Sequence, residues 1–256
     1  MNKFKLLGIG NSFSDDAFKW VYPMIDSMGI EDKAVNNLYI GGCPLCEHLR
    51  NMENDLPRYD YRRFERDIYS TNFKISEALK LEDWQYITLQ QSSGDSGIRE
   101  SFGVLEELLA RVNALKPANA KLYWHMTWAY SAKSSNPEFK KYGNDQLAMY
   151  NALIDCVKTE VLKFKDFVGV IPSGTAIQNA RTSSLGDNMD RDGFHLSMDL
   201  GRYIAGLCVV CTILGTDPAD IPFAPCGVDP LRRKIAEESV RNAIKAPFEI
   251  TPSVFR

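Results

Sequence analysis

Histidine is scarce in this chain, long apolar runs are missing, and neither sign of charge prevails. Each shortage excludes something. With 30 basic residues against 33 acidic ones, the formal net charge is −3. A nucleic-acid partner, which calls for a clustered basic surface, is therefore not expected. The longest apolar run, YIAGLCVVCTILG from Tyr203, has 13 residues. A bilayer span takes about 20, so this run reads as a buried helix and no membrane partner is expected. No apolar signal core with a cleavage site marks the N-terminal residues, which points to a cytoplasmic protein and leaves a trimmed secreted form open. No repeat, low-complexity tract or charged linker divides the sequence. One domain over residues 1–256 is expected, long enough for a large core.

Six cysteines stand at 43, 46, 156, 208, 211 and 226, and two pairs read CxxC. A zinc site built from Cys43, Cys46, Cys208 and Cys211 would join pairs set far wider apart than in zinc ribbons. Cys208 and Cys211 also fall inside the apolar helix, where cysteine serves as a small hydrophobe. They read as core, and no metal or other cofactor is expected.

Five apolar runs have the character of buried strands: FKLLGIG at 4–10, AVNNLYIG at 34–41, WQYITLQ at 84–90, KLYWHMTW at 121–128 and FVGVIPSG at 167–174. Helical periodicity fills the intervals, with apolar residues at three- and four-residue spacing over 101–115 and 145–164. A further helix is expected over 14–29, kinked or shortened by Pro23. Strands alternating with helices predict a three-layer α/β/α architecture around a central, mostly parallel five-stranded sheet. The insertion RNMENDLPRYDYRRFERDIYSTNF at 50–73 is too polar for core and is expected to cover the sheet edge or the mouth of a pocket.

In such sheets ligands bind beyond the carboxyl ends of the strands. All five runs end in small or polar residues: Asn11-Ser12, Gly41-Gly42, Gln90-Gln91-Ser92, Thr127-Trp128 and Ser173-Gly174. Ser12 thus falls in the expected cleft, at a strand-to-helix turn where free backbone N–H groups gather. A serine attacks only when a base takes its proton and donors hold the oxyanion. With three histidines the search for a base is short. His48 closes IGGCPLCEH on the second loop, His125 sits mid-strand in LYWHMTW, and His195 lies in DRDGFHLSMDLGRY ahead of a helix. Asp192 precedes His195 by three residues with a glycine between. A tight turn at that spacing can bring the carboxylate to the far nitrogen of the imidazole.

These blocks, GNSFS, IGGCPLCEH, ITLQ, TWAY, PSGTAIQNAR and DGFHLS, resemble the SGNH (GDSL-like) hydrolase superfamily. The likeness is greatest to a bacterial branch described as DUF4886, and it spans Phe4 to about Leu214. It implies a flavodoxin-like fold with Ser12 as nucleophile, His195 as general base and Asp192 as its orienting partner. The backbone N–H groups of Ser12 and Gly42 would then serve the oxyanion. Two positions depart from the superfamily pattern. Asn11 replaces the aspartate before the nucleophile, and LQQSS stands where the pattern supplies an asparagine from GxND. An amide from Gln90 or Gln91 could take that part, with Gln90 preferred because it ends the apolar run.

Other readings stay open beside these. Ser12 alone could be a helix cap, while Ser14, Asp15 and Asp16 read as a cap and as charge partners of the helix start. His125 reads as a satisfied buried or cleft-wall residue. His48 is balanced between substrate contact and structural hydrogen bonding. Trp124, Trp128 and Tyr130 fit either core or a sugar-stacking wall, and the resemblance tilts Trp128 toward the wall. Arg181 could anchor an anionic substrate or pair with an acidic neighbour. The expected activity is that of a serine esterase releasing short acyl groups, acetyl included, from a carbohydrate or other small ester. The alternative is a non-catalytic glycan- or metabolite-binding relative whose glutamine substitution has cost it the oxyanion hole. Either way the partner is a small molecule or carbohydrate, and the sequence does not give the oligomeric state.

Overall fold

The computed structural model describes residues 2–66 and 68–256. Strand β1 (Lys3–Gly10) leads into α1 (Ser12–Phe18) and α2 (Val21–Ser27), then β2 (Asp32–Tyr39) and α3 (Leu45–Glu53). A hairpin of β3 (Tyr59–Arg63) and β4 (Ile68–Phe73) follows, with α4 (Ile75–Leu81), β5 (Tyr86–Leu89), α5 (Leu105–Leu115) and β6 (Lys121–His125) behind it. The chain ends with α6 (Gln146–Cys156), β7 (Phe167–Ile171), α7 (Ser173–Arg181), α8 (Leu200–Leu214) and α9 (Pro230–Lys245).

The strands form one sheet in the order β4-β3-β2-β1-β5-β6-β7. From β2 to β7 the pairings are parallel, and β3 and β4 join as antiparallel strands. The mostly parallel α/β architecture is the expected one, but the sheet has seven strands rather than five. The two extra strands come from the insertion at 50–73, which extends the sheet edge instead of lying over it. Its polarity hid them. Tyr59 and Tyr61 turn inward and are buried, while Arg62 and Arg63 are half-exposed and β4 is mostly exposed. A half-covered antiparallel edge has that alternation, whereas parallel strands covered on both faces read as apolar runs.

α1 and α2 pack with α8 on one face, and α3, α4 and α5 pack with one another on the other. Right-handed crossovers from β1 outward in both directions require this division. α8 is buried along almost its whole length, including Cys208 and Cys211. Among the described residues no helix is long and apolar enough to cross a membrane. The helical stretch predicted over 14–29 begins earlier and breaks at Lys19–Trp20, with Pro23 in the first turn of α2, where its missing N–H costs nothing. The cap of α1 is Asn11, whose Oδ1 accepts from Phe13 N at 3.0 Å. Ser14 is not the cap, and Asp15 turns to Asn37 and Arg62. The chain reverses direction across the sheet between β1 and β5, so the crevice of this fold lies past the carboxyl ends of those two strands.

Candidate active site

The first turn past β1 is unusually close to the sheet. A Cβ built on Gly10 would stand 2.1 Å from Ser14 Oγ and 3.3 Å from the Gln90 amide carbon. Only glycine lets α1 start this tightly over the strand end. The result puts Ser12, the first residue of α1, at the rim of the crevice.

Three side chains converge there. Ser12 Oγ lies 2.8 Å from His195 Nε2. His195 Nδ1 lies 2.7 Å from Asp192 Oδ2, and Asp192 Oδ1 accepts from the His195 backbone N–H at 2.7 Å. The carboxylate therefore fixes both the ring and the backbone that carries it. Partial burial pushes the Asp192 carboxyl up, but the His195 imidazole and the backbone N–H groups of His195 and Phe194 outweigh that and hold it below its ordinary value. An ionised Asp192 keeps the Nδ1 proton facing it and leaves Nε2 as the acceptor for the serine hydroxyl.

The cleft over this set has a volume of about 360 Å³. Gly42 lines it, at a backbone φ of 64° that favours glycine. The backbone N–H groups of Ser12 and Gly42 have no acceptor among the described residues. Tyr39, Ser93, Tyr130, Asn136 and Glu138 also line the cleft. Tyr130 was weighed in the sequence as core or as a sugar-stacking wall; the other four were missed. Tyr39 closes β2 inside an apolar run, and Ser93, Asn136 and Glu138 lie in segments past β5 and β6 that carry no periodicity.

Four residues expected in the site lie elsewhere. Gln90 is buried: its Nε2 donates to Asn11 Oδ1 at 2.8 Å, and its Oε1 accepts from Ser14 Oγ at 2.7 Å and sits 2.8 Å from His125 Nδ1. Gln91 accepts from Leu45 N and Ser92 N and donates to Ser101. Both amides are buried, where donors and acceptors must find protein partners, and those partners are the ones just named, not Ser12. His48 is fully buried, 2.9 Å from the Tyr59 hydroxyl, and burial lowers its pKa to about 3. Trp128 is core rather than wall: it stacks on Phe13 at 4.4 Å and donates from Nε1 to Phe194 O at 2.8 Å. Arg181 pairs with Asp187 at 2.8 Å, and His125 bridges Gln90 and Ser173 inside the protein.

The family described as a domain of unknown function (DUF4886) matches residues 5–243. The chain belongs to the DUF4886 family. A DUF4886 family protein from Bacteroides uniformis ATCC 8492 has the same structure at a TM-score of 0.93, with 37% identity over 97% of each chain. Two variants of Axe2 from Geobacillus stearothermophilus share the fold at much lower identity. One, an acetyl-xylooligosaccharide esterase, gives a TM-score of 0.52 at 14% identity, covering 87% of this DUF4886 chain and 97% of its own. The other, a catalytic mutant of the enzyme described as an acetylxylan esterase, gives 0.52 at 13%, covering 82% and 95%. No curated protein matches the sequence.

Proposed function

We propose that the protein is a serine esterase that removes short acyl groups, acetyl among them, from a carbohydrate or other small hydroxyl-bearing compound. The observation that carries this reading is the unbroken chain of contacts from Ser12 Oγ through His195 to Asp192, at 2.8 and 2.7 Å, opening into a cleft. Ser12 Oγ bonds to the ester carbonyl carbon as its proton passes to His195 Nε2. The carbonyl oxygen takes up the negative charge facing the N–H groups of Ser12 and Gly42. As the C–O bond breaks, His195 returns the proton to the leaving alcohol. Water then adds to the acyl-serine, losing its proton to His195, and the acid leaves as Ser12 Oγ is reprotonated. The acetyl esterase Axe2, with the same fold, supports acetyl as the first acyl group to try.

One observation favours the binding-only alternative: the amides of Gln90 and Gln91 are both engaged elsewhere, so neither offers the oxyanion the side-chain amide that the superfamily pattern supplies. One experiment decides between them. Acetylated sugars and short p-nitrophenyl esters are assayed beside Ser12→Ala, and a fluorophosphonate probe is mapped by peptide mass spectrometry. Hydrolysis lost in the variant, with the label on the GNSFS peptide, is the expected result. Labelling at Ser92, Ser93 or Cys43, or no ester cleaved at all, would overturn the esterase reading.

A further inference from the structure

The segment that carries the imidazole is a closed unit. Asp190 and Leu196 form a β-bridge. Arg191 N donates to His195 O, and Ser197 N to Met189 O, each at 2.9 Å. On its cleft side the tip is held by Trp128 Nε1 to Phe194 O at 2.8 Å and by Ser131 N to Gly193 O at 2.9 Å. Asp192 and His195 belong to the same short hairpin, so their mutual geometry is set locally. The distance from His195 to Ser12 is not. It depends on how the base of the hairpin is held against α1.

Asp16 holds it. It lies one helical turn beyond Ser12 and is 1% exposed. Its Oδ2 accepts from the N–H of Leu196, the residue after His195, at 2.8 Å. Arg191 Nη1 reaches the two carboxylate oxygens at 3.1 and 3.3 Å. Arg202, from α8, donates through Nε at 2.8 Å and brings Nη2 to 2.7 Å from Oδ1. One carboxylate therefore joins the nucleophile helix, the base hairpin and α8.

Burying a carboxylate between two guanidinium groups is a weak means of stabilising a fold, since apolar residues of similar volume often serve as well. What such a cluster adds is direction: each bond has a fixed length and angle. We propose that Asp16 is a positioning residue that sets the registry between Ser12 and His195, acting through the Leu196 N–H and the Arg191 side chain. Its kinetic consequence rests on the esterase reading above; its geometric consequence does not.

The test is Asp16→Asn, which keeps the shape and leaves one guanidinium without its acceptor. The hairpin stays folded through its own bonds and through Trp128 and Ser131. Per folded molecule, kcat on p-nitrophenyl acetate and the rate of fluorophosphonate labelling should each fall about 100-fold while KM stays within about threefold, the signature of a reacting pair displaced by an ångström or so. A crystal structure of the variant should show Ser12 Oγ and His195 Nε2 out of hydrogen-bond reach with the Asp192–His195 contact intact. Should that variant fail to fold, Arg191→Met takes its place, with an expected loss of about tenfold. Unchanged kcat with an unchanged Ser12–His195 contact in either folded variant overturns the proposal, as does a loss accounted for by the unfolded fraction. If the wild-type protein cleaves no ester and takes no label, the esterase reading falls, and the Ser12–His195 distance in the variant still decides the registry.

Discussion

Among the described residues lie two serine–histidine pairs built from nearly the same parts. In the cleft, Ser12 Oγ is 2.8 Å from His195 Nε2, and the other ring nitrogen is 2.7 Å from Asp192. Inside the protein, Ser173 Oγ is 3.1 Å from His125 Nε2, and the other ring nitrogen is 2.8 Å from Gln90 Oε1. The third member and the surroundings differ. His125 is fully buried against an amide, and burial lowers its pKa to about 3. A proton moved there from Ser173 would create an alkoxide and a buried imidazolium whose far nitrogen meets a neutral amide instead of a carboxylate. His195 faces a carboxylate held ionised by its own neighbours and opens to solvent on one side. A serine within reach of a histidine is thus not a nucleophile by distance alone. The charge at the far nitrogen and the access at the near one make the difference.

Removing the two serines should separate the pairs most sharply. Ser12→Ala is expected to lower kcat on a short p-nitrophenyl ester by roughly 10⁴- to 10⁶-fold, and adding His195→Ala should change little more, because such residues act as a unit. Ser173→Ala should leave kcat within about threefold; a loss approaching that of Ser12→Ala would make the buried pair part of the chemistry. Next in size is Asp192→Asn, which turns the open set into a chemical copy of the buried one. A fall of about 10⁴-fold in kcat is expected, and activity near the wild-type level would show that the carboxylate is dispensable.

The buried set breaks differently. Gln90→Ala leaves Ser14 Oγ, His125 Nδ1 and Asn11 Oδ1 each short of a partner. Urea unfolding should report a loss of about 2–4 kcal/mol, with KM unchanged. A drop of about 100-fold in kcat at full stability would instead return Gln90 to the oxyanion hole. The smallest effect is on acid stability. An unfolded imidazole takes up a proton below about pH 6.5, whereas folded His48 and His125 hold out until about 3. Between those limits the unfolded chain binds more protons, so stability falls as the pH falls, by about 1.4 kcal/mol per pH unit for each ring. His125→Asn should remove one ring's part of that slope in unfolding curves taken between about pH 4 and 6. An unchanged slope would mean that His125 is not held neutral.

The same contrast explains what the sequence made legible. The five parallel strands stood out because both faces are covered, which turns each into an apolar run with a polar end. Ser12, Asp192 and His195 could be singled out because a strand-end serine and an Asp-Gly-x-His turn are local patterns, and the fold brings them together. The edge hairpin β3–β4 could not be, since Tyr59 and Tyr61 alternate with charged residues in a segment that is polar overall. Gln90, Gln91, His48 and Trp128 were misplaced for another reason. Whether a polar side chain at a strand end looks into a cleft or into a packed layer depends on what lies across from it, as Leu45 and Ser101 do for Gln91. Asp16 was read as a partner of the helix start because its arginine partners come from residues 191 and 202, far along the chain.

The position of α8 bears on how the molecule is made. Its 15 residues fill the space against α1 and α2, yet they leave the ribosome long after those helices do. Ser12 and His195 are 183 residues apart. At about 5–20 residues per second, synthesis separates the arrival of the two by roughly 10–40 s. Through that interval the nascent chain carries the serine turn without His195, and the apolar sides of α1 and α2 stay uncovered until α8 closes over them. The newborn chain is therefore sticky and lacks the Ser12–His195 contact, and the two conditions end together when the last quarter of the sequence docks.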